Sequence, residues 1–223
     1  TTTVPATTTA PTTTVPATTT LPPPTNPPVE LLMEELAVMA SLPSDDTEQR
    51  WMVVVRNPFE DRVFADVRFD IDLSDTAGDV TESTVRTTRF ILPEQEIVLT
   101  GTLPADQDVV DATITSTGID TDVSEDVAEG TIGSWSVTDV VYEARSEDSA
   151  WASEGNLTQG FEATNTNITV HIVLRDEAGT PTSIAVGQVP YIGPRSTEPW
   201  VAPTPAYMEF DSFDTYVNPV QRP

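Results

Sequence analysis

Residues 71–104 and 172–205 carry one pattern twice. With the chain shifted by 101 positions, Ile71, Leu73, Asp75, Ala77, Gly78, Thr81, Ile91, Pro93 and Pro104 fall on Ile172, Leu174, Asp176, Ala178, Gly179, Thr182, Ile192, Pro194 and Pro205. These are nine identities in 34 ungapped positions, where average composition gives roughly two by chance. Phe90 and Tyr191 match as aromatics, Val67 and Ile168 as β-branched residues. The folded part must therefore be built twice from one module.

The module reads as β-structure. In RVFADVRFDIDLSDTAGDV, Val63, Ala65, Val67, Phe69, Ile71 and Leu73 alternate with mostly polar residues, the period of a half-buried strand. Asp75-Thr-Ala-Gly78 ends it as a turn, where Asp bonds its own backbone and Gly takes positive φ. In the second copy Ile168, Val170, Ile172 and Leu174 precede Asp176-Glu-Ala-Gly179. Further strands are expected at Trp51–Arg56, Val80–Phe90, Ile97–Thr102, Val109–Ser116, Trp135–Glu143, Ser183–Tyr191 and Ala206–Phe210. Residues 28–40 have helix formers behind Pro28, but the second copy reads as strand at that place, which favours a strand from about Leu36. Short strands at this spacing predict an all-β chain of two tandem β-sandwich domains. The expected division is 29–117 and 133–213 for the sandwiches, an acidic linker at 118–132, and a C-terminal extension at 214–223. That extension, or a packed arm on its own domain, follows from the aromatic and proline-bearing end, and an edge-strand dock on a neighbour is one use for it.

Ile71-x-Leu73-x-Asp75-x-Ala-Gly and Ile172-x-Leu174-x-Asp176-x-Ala-Gly resemble the hallmark of FxLYD-type domains, a strand ending in Phe-x-Leu-Tyr-Asp followed by a turn, a strand and a Pro-Gly-containing corner. Leu92-Pro93-Glu and Gly193-Pro194-Arg sit where the corner belongs, each 18 residues beyond the Asp. Val55-Arg-Asn57 resembles the Val-x-Asn that precedes the motif. The second copy departs: Asn165 is 11 residues before Asp176, against 18 from Asn57 to Asp75. Ile replaces Phe, and Ser74 or Arg175 replaces Tyr. The resemblance implies immunoglobulin-like sandwiches on an exported surface protein, with adhesion, assembly or spacer roles and no catalytic residues.

Residues 1–28 differ from the rest. Of these 28 positions, 21 are Thr or Pro and none is charged. Such a segment cannot bury enough apolar surface to offset its ordering entropy, and proline favours extended, polyproline-like conformations. It reads as a stalk or linker. Thr with Pro is also the composition of O-glycosylated stalks, which makes Thr1, Thr2, Thr3, Thr7, Thr8, Thr9, Thr12, Thr13, Thr14, Thr18, Thr19 and Thr20 glycosylation candidates. The first residue is Thr rather than Met, so an exported precursor with its signal removed is expected, placing the chain outside the cell or in its envelope.

The formal charge is −26, with 10 basic residues and 36 acidic ones. All the basic residues are Arg. This balance excludes phosphate-binding cationic patches, and with them nucleic acid; an anionic membrane surface would repel the chain. No segment approaches the roughly 20 apolar residues of a membrane span. There is no cysteine, so disulfides, thiolate metal sites and cysteine nucleophiles are ruled out. The expected partners are other protein subunits or copies of the chain, with glycans as a further class.

No catalytic or cofactor-binding residues are expected. His171 is the only histidine, and any general acid–base or triad chemistry using imidazole would need it. Its strand alternation points it to solvent, and no nucleophile-elbow or paired-histidine motif accompanies it. Asp70, Asp72, Asp75 and Asp79 are the calcium candidates, since Ca²⁺ takes several oxygen ligands. The other reading is a solvated face and a turn, and the second copy favours it, with His171, Val173 and Thr180 in place of Asp70, Asp72 and Asp79. Asp106, Asp108, Asp111, Asp120, Asp122, Glu125 and Asp126 offer a cation between domains. Among the tryptophans, Trp51 and Trp135 read as core, and Trp200, beside Pro199 and Val201, as core or end-cap with an exposed ring as the other reading. Aromatics exposed in a row would make a carbohydrate-binding module the rival function. Asn156-Leu-Thr158 and Asn167-Ile-Thr169 match the N-glycosylation pattern.

Overall fold

The computed structural model describes residues 26–39, 48–129, 132–144, 151–204 and 208–219. The glycosylation candidates of the Thr/Pro segment lie outside them. The strands are β1 (Leu32–Met39), β2 (Glu48–Arg56), β3 (Arg62–Ser74), β4 (Val80–Ile91), β5 (Glu96–Pro104), β6 (Asp111–Asp122), β7 (Trp135–Ala144), β8 (Trp151–Gln159), β9 (Asn165–Arg175), β10 (Pro181–Ile192), β11 (Thr197–Thr204) and β12 (Ser212–Pro219). One short helix, α1 (Ser124–Glu129), follows β6.

These strands make four three-stranded antiparallel sheets, β1-β2-β5 and β4-β3-β6 in the first half, β11-β8-β7 and β10-β9-β12 in the second. The two halves have the same strand order, with β4 to β6 and β10 to β12 related by the 101-residue shift. The chain is therefore two tandem sandwiches of immunoglobulin-like arrangement. Trp51, Val53, Phe69, Ile71 and Leu73 fill the first core. Leu157, Ile168, Val170, Trp200 and Ala202 fill the second.

The motif turns repeat in hydrogen-bond detail. Asp75 Oδ1 accepts from the Ala77 and Asp79 amides, and Asp176 Oδ1 from those of Ala178 and Thr180. Gly78 and Gly179 take φ of 83° and 80°, the left-handed region open to glycine. The corners repeat too. Glu94 and Arg195, beside Pro93 and Pro194, have φ of 55° and 45°, a region that glycine enters without steric cost. A left-handed non-glycine residue costs roughly 1–2 kcal/mol. Glu94 otherwise offers only an exposed ion pair to Arg56 at 3.5 Å, worth less than about 1 kcal/mol. Glu94→Gly should therefore raise the denaturation midpoint, by up to about 1 kcal/mol at unchanged m-value. A lowered midpoint would mean the corner is unstrained.

Several expectations are corrected. β1 is strand from Leu32, with no helical turn before it. β3 alternates as expected only from Val67 on. Asp66 has φ of 48° and sits in a register shift between Ala65 and Arg68, a bulge that reverses the facing. Phe64 is thus buried, whereas Val63 and Ala65 lie on the outer face. β6 runs to Asp122, past the boundary placed at 117, because its continuation pairs with β3 as far as Arg62. β8 and β11 were not expected, although shifting Ile97–Thr102 by 101 residues lands on β11. The strand expected at 206–210 lies partly outside the described residues, and 208–210 are irregular. Of the two readings of the C-terminal region, the packed arm holds for its described residues: Ser212–Pro219 pairs with β9 as a strand of the second sandwich.

Candidate functional site: the seam between the sandwiches

Two strands are buried on both faces. In β2 every residue from Trp51 to Val55 is buried, and in β9 every residue from Ile168 to Leu174. Alternate residues of each serve the sandwich cores. The rest meet one another across a seam where sheet β1-β2-β5 packs on sheet β10-β9-β12. Met39, Met52, Val54 and Val98 from the first sandwich close on Val173, Ile184 and Tyr216 from the second. Sheets β1-β2-β5 and β10-β9-β12 therefore face each other across the seam.

Polar groups along the seam are matched across it. Arg50 Nη1 donates to the Ile184 carbonyl at 3.0 Å, Thr88 Oγ1 to that of Pro219 at 2.9 Å and Gln95 Nε2 to that of Val217 at 2.8 Å. Asn218 Nδ2 donates to the Val98 carbonyl at 2.5 Å and its Oδ1 accepts from the Val98 amide at 3.3 Å. That amide imitates a strand residue on the edge of β5, an edge that would otherwise be open. Arg175 donates through Nη1 and Nη2 to both carboxylate oxygens of Glu35, at 2.9 and 2.7 Å, and through Nε to Asp214. Its side chain is only 14% exposed. The Glu35 and Asp214 carboxylates hold the guanidinium charged, raising its pKa. A planar bidentate pair of this kind fixes geometry as well as charge.

His171 lies in the seam, not in solvent. Its strand neighbours are Val186 and Tyr216. It is 5% exposed, and its Nδ1 has no hydrogen-bond partner among the described residues. The alternation placed it correctly opposite Ile172, but the other sandwich covers that face. Burial pushes its pKa down to about 4, with the Asn218 side chain opposing the shift. A neutral imidazole sealed from solvent has no route to a substrate proton.

The carboxylates are taken up locally. Asp70 is clamped by Arg68, whose hydrogen bonds hold it below the usual carboxylate range. Asp72 accepts from Ser83 Oγ at 2.6 Å. Asp75 caps its turn, and the Asp79 amide bonds to it. In the acidic stretch, Asp111 accepts from the Ala112 amide, Asp120 pairs with Arg62, and Asp122 caps the start of α1 through the Ser124 amide. Among the described residues no three His, Cys, Asp or Glu side chains form a group able to hold a metal ion.

Trp51 is buried as expected, 1% exposed, and so is Trp200, at 2%. Each lies over a glycine of the neighbouring strand, Gly101 and Gly155. Trp135, half-buried against the second core, also stacks with Phe90 of the first sandwich, their rings 7° from parallel, and both touch Phe161. Asn156, half-buried, donates to Asp139. Asn167, which corresponds to Asp66 under the 101-residue shift, has φ of 55°.

The second copy's equivalent of Asn57 escaped sequence reasoning. Asn57 Nδ2 ties the Arg62 and Leu92 carbonyls together at 2.7 and 2.9 Å. Its counterpart is Gln159, not Asn165: Gln159 Nε2 donates to the carbonyls of Ala163, Ile192 and Gly193, and Asn165 donates to Gln159 Oε1. The two anchors are 102 residues apart, so an ungapped shift of 101 misses them. Pairing confirms the offset, since Val53 pairs with Leu99 and Gly155 with Trp200.

No protein-family model matches the chain, and no curated protein matches it significantly in sequence. Among solved structures, the N-terminal CBM22-1-CBM22-2 tandem domain of Paenibacillus barcinonensis Xyn10C is similar over 86% of this chain and 86% of that one, at 9% identity and a TM-score of 0.18. At that score the likeness carries no functional argument. Among the described residues no helix is long and apolar enough to cross a membrane.

Proposed function

We propose that the chain is a non-catalytic extracellular structural or interaction protein. Two FxLYD-like sandwiches form a stiff unit, carried by a Thr/Pro stalk at the cell surface, that spaces or presents a partner-binding face. The observation that carries this reading is the seam. Apolar packing, the Asn218 clamp and the Arg175–Glu35 pair fix one sandwich on the other and enclose the sole histidine. The outer faces stayed polar. Arg68, Asp70 and Asp72 are exposed on β3, where β9 has buried Thr169, His171 and Val173. A polar outer face suits a unit that packs no further sheet there. Its other partners are protein subunits, copies of itself or glycans, engaged elsewhere than through this seam.

Intact-mass spectrometry of natively purified protein, with its size under non-denaturing conditions, tests the reading. Hexose-step mass on residues 1–28 together with a high-mass assembly is the expected result. A bare monomer of 24.1 kDa would remove both glycosylation and assembly.

A second reading, a carbohydrate- or other ligand-binding module, has one observation in its favour. Tyr142 packs against Trp151 and Phe210 with centroids 5.3 Å away in each case, and Phe210 against the exposed Phe213. Exposed rings stack on apolar sugar faces. Retardation of the native protein in polysaccharide-containing gels, abolished by Phe213→Ala, would favour it over the first reading.

A further inference from the structure

A groove of about 510 Å³ opens where the two sandwiches meet beside α1. Its walls are apolar: Val63, Ala65, Phe90 and Val123 from the first sandwich and its flank, Phe161 from the second. Phe90 and Phe161 meet edge to face with centroids 5.5 Å apart. Val63 and Ala65 reach it because the Asp66 bulge turns them outward. Ile119, paired with Ala65 and so on the same face, continues the strip and is 46% exposed. Asp66 and Arg89 are the charged residues of the lining.

The N-terminal chain leads to this groove. Val29 donates to Ser116, Pro28 bridges Thr117, and Pro27 accepts from Gly118. Read backwards, the chain climbs the edge of β6 towards Ile119. Asn26 Nδ2 then donates to the carbonyl of Asp66, at 3.4 Å. Immediately before Asn26 the sequence is Leu21-Pro22-Pro23-Pro24-Thr25. At about 3.1 Å per residue in an extended proline helix, Leu21 to Pro24 fall roughly 6–16 Å upstream of Asn26. Proline-rich segments dock on aromatic-lined grooves because little ordering entropy remains to be lost. Charge selects the same occupant. Residues 1–28 are uncharged, whereas the remainder carries the whole net charge of −26, so the Thr/Pro segment meets no repulsion there, while a copy's acidic surface would.

We infer that Leu21–Pro24 of the chain's own Thr/Pro segment seats in the groove of Phe90 and Phe161, clamping the sandwiches from outside and fixing where the stalk departs. The inference is independent of the proposed surface role, since it concerns only the chain's contact with itself.

The absence of cysteine makes a single spin label simple. In the full chain, Thr20→Cys carrying a nitroxide should strip most of the NMR intensity from Val63, Ala65 and Val123. Phe213 should keep its intensity, because it pairs with Leu174, at the other end of β9 from Asn165. Replacing Pro22, Pro23 and Pro24 by Gly, or Ala65→Asp on the outer face, should restore the lost intensity. Groove resonances attenuated no more than that of Phe213 would overturn the inference. Attenuation seen only when spin-labelled chains are mixed with isotope-labelled ones would overturn it in favour of a second copy's segment.

Discussion

Lowering the pH from 7 to 4 should cost the folded chain about 3 kcal/mol through His171 alone. In the unfolded chain the imidazole has its ordinary pKa of 6.5, and in the seam about 4. The folded value is the lower, so protons bind the unfolded state more readily between those two pH values. The stability conferred by the neutral ring is complete above about pH 6.5. It is lost as the pH falls towards 4, at 1.36 kcal/mol per unit of separation. Among the described residues no carboxylate offsets the burial of the ring: the cross-strand neighbours are Val186 and Tyr216, and Met39, Met52, Val54 and Val98 line the facing sheet. The charged cluster of Arg175, Glu35 and Asp214 is four residues further along β9, roughly 13 Å away at strand spacing. The measurement is denaturant unfolding of the native sequence and of His171→Gln at pH 7 and pH 4.5. Titration of the carboxylates is common to both and cancels. The native chain should lose more stability than the variant, by about 2–3 kcal/mol. Equal losses would show that the ring is not held neutral in the seam.

Trp51→Ala should be the most damaging single truncation in the first sandwich, at about 3–5 kcal/mol. The ring is 1% exposed in the core cluster, with the Arg86 guanidinium 5.4 Å from its centroid. That is a large share of the 5–15 kcal/mol by which domains are stable. The ring is also the reason for Gly101. A Cβ there would stand 2.6 Å from three indole atoms, and a ring packed on every side cannot give way. Gly101→Ala should therefore cost about 1–3 kcal/mol. In the Trp51→Ala background the same change should be nearly neutral, because the atoms it would strike are gone. A double-mutant cycle by calorimetry or denaturant unfolding should give a coupling of more than 1 kcal/mol. Additive effects would mean that Gly101 is required for its backbone and not for the ring.

Much of this fold was legible in the chain itself. Asp75-Thr-Ala-Gly78 and Asp176-Glu-Ala-Gly179 specify their turns chemically, because a carboxylate three residues before a left-handed glycine satisfies the local amides. Ile71, Leu73, Ile172 and Leu174 alternate inward because strand side chains must. Trp51 was legible as core for its size and its place in an apolar strand. The left-handed residues were not: Asp66 and Asn167 take positive φ without being glycine, and no residue announces the bulge at Asp66 that turns Val63 and Ala65 outward. Nor was the Gln159 anchor, since an ungapped comparison cannot see a one-residue loop difference.

The seam itself left a trace in the residues that is plain once its cause is known. Met52-Val-Val-Val55 and Ile168-Thr-Val-His-Ile-Val-Leu174 are nearly continuous in apolar character, the mark of strands buried on both faces. The corresponding strand of the first sandwich alternates Arg68, Asp70 and Asp72 with its core residues. Sequence alone determined most of the strands, the repeated turns, the duplication and the uncharged segment that precedes them, because these rest on local backbone chemistry and on a period of two. Which face of each sandwich meets the other was decided only in the tertiary structure. Alternation says that His171 lies opposite Ile172, but it cannot say whether water or a second sheet lies beyond it.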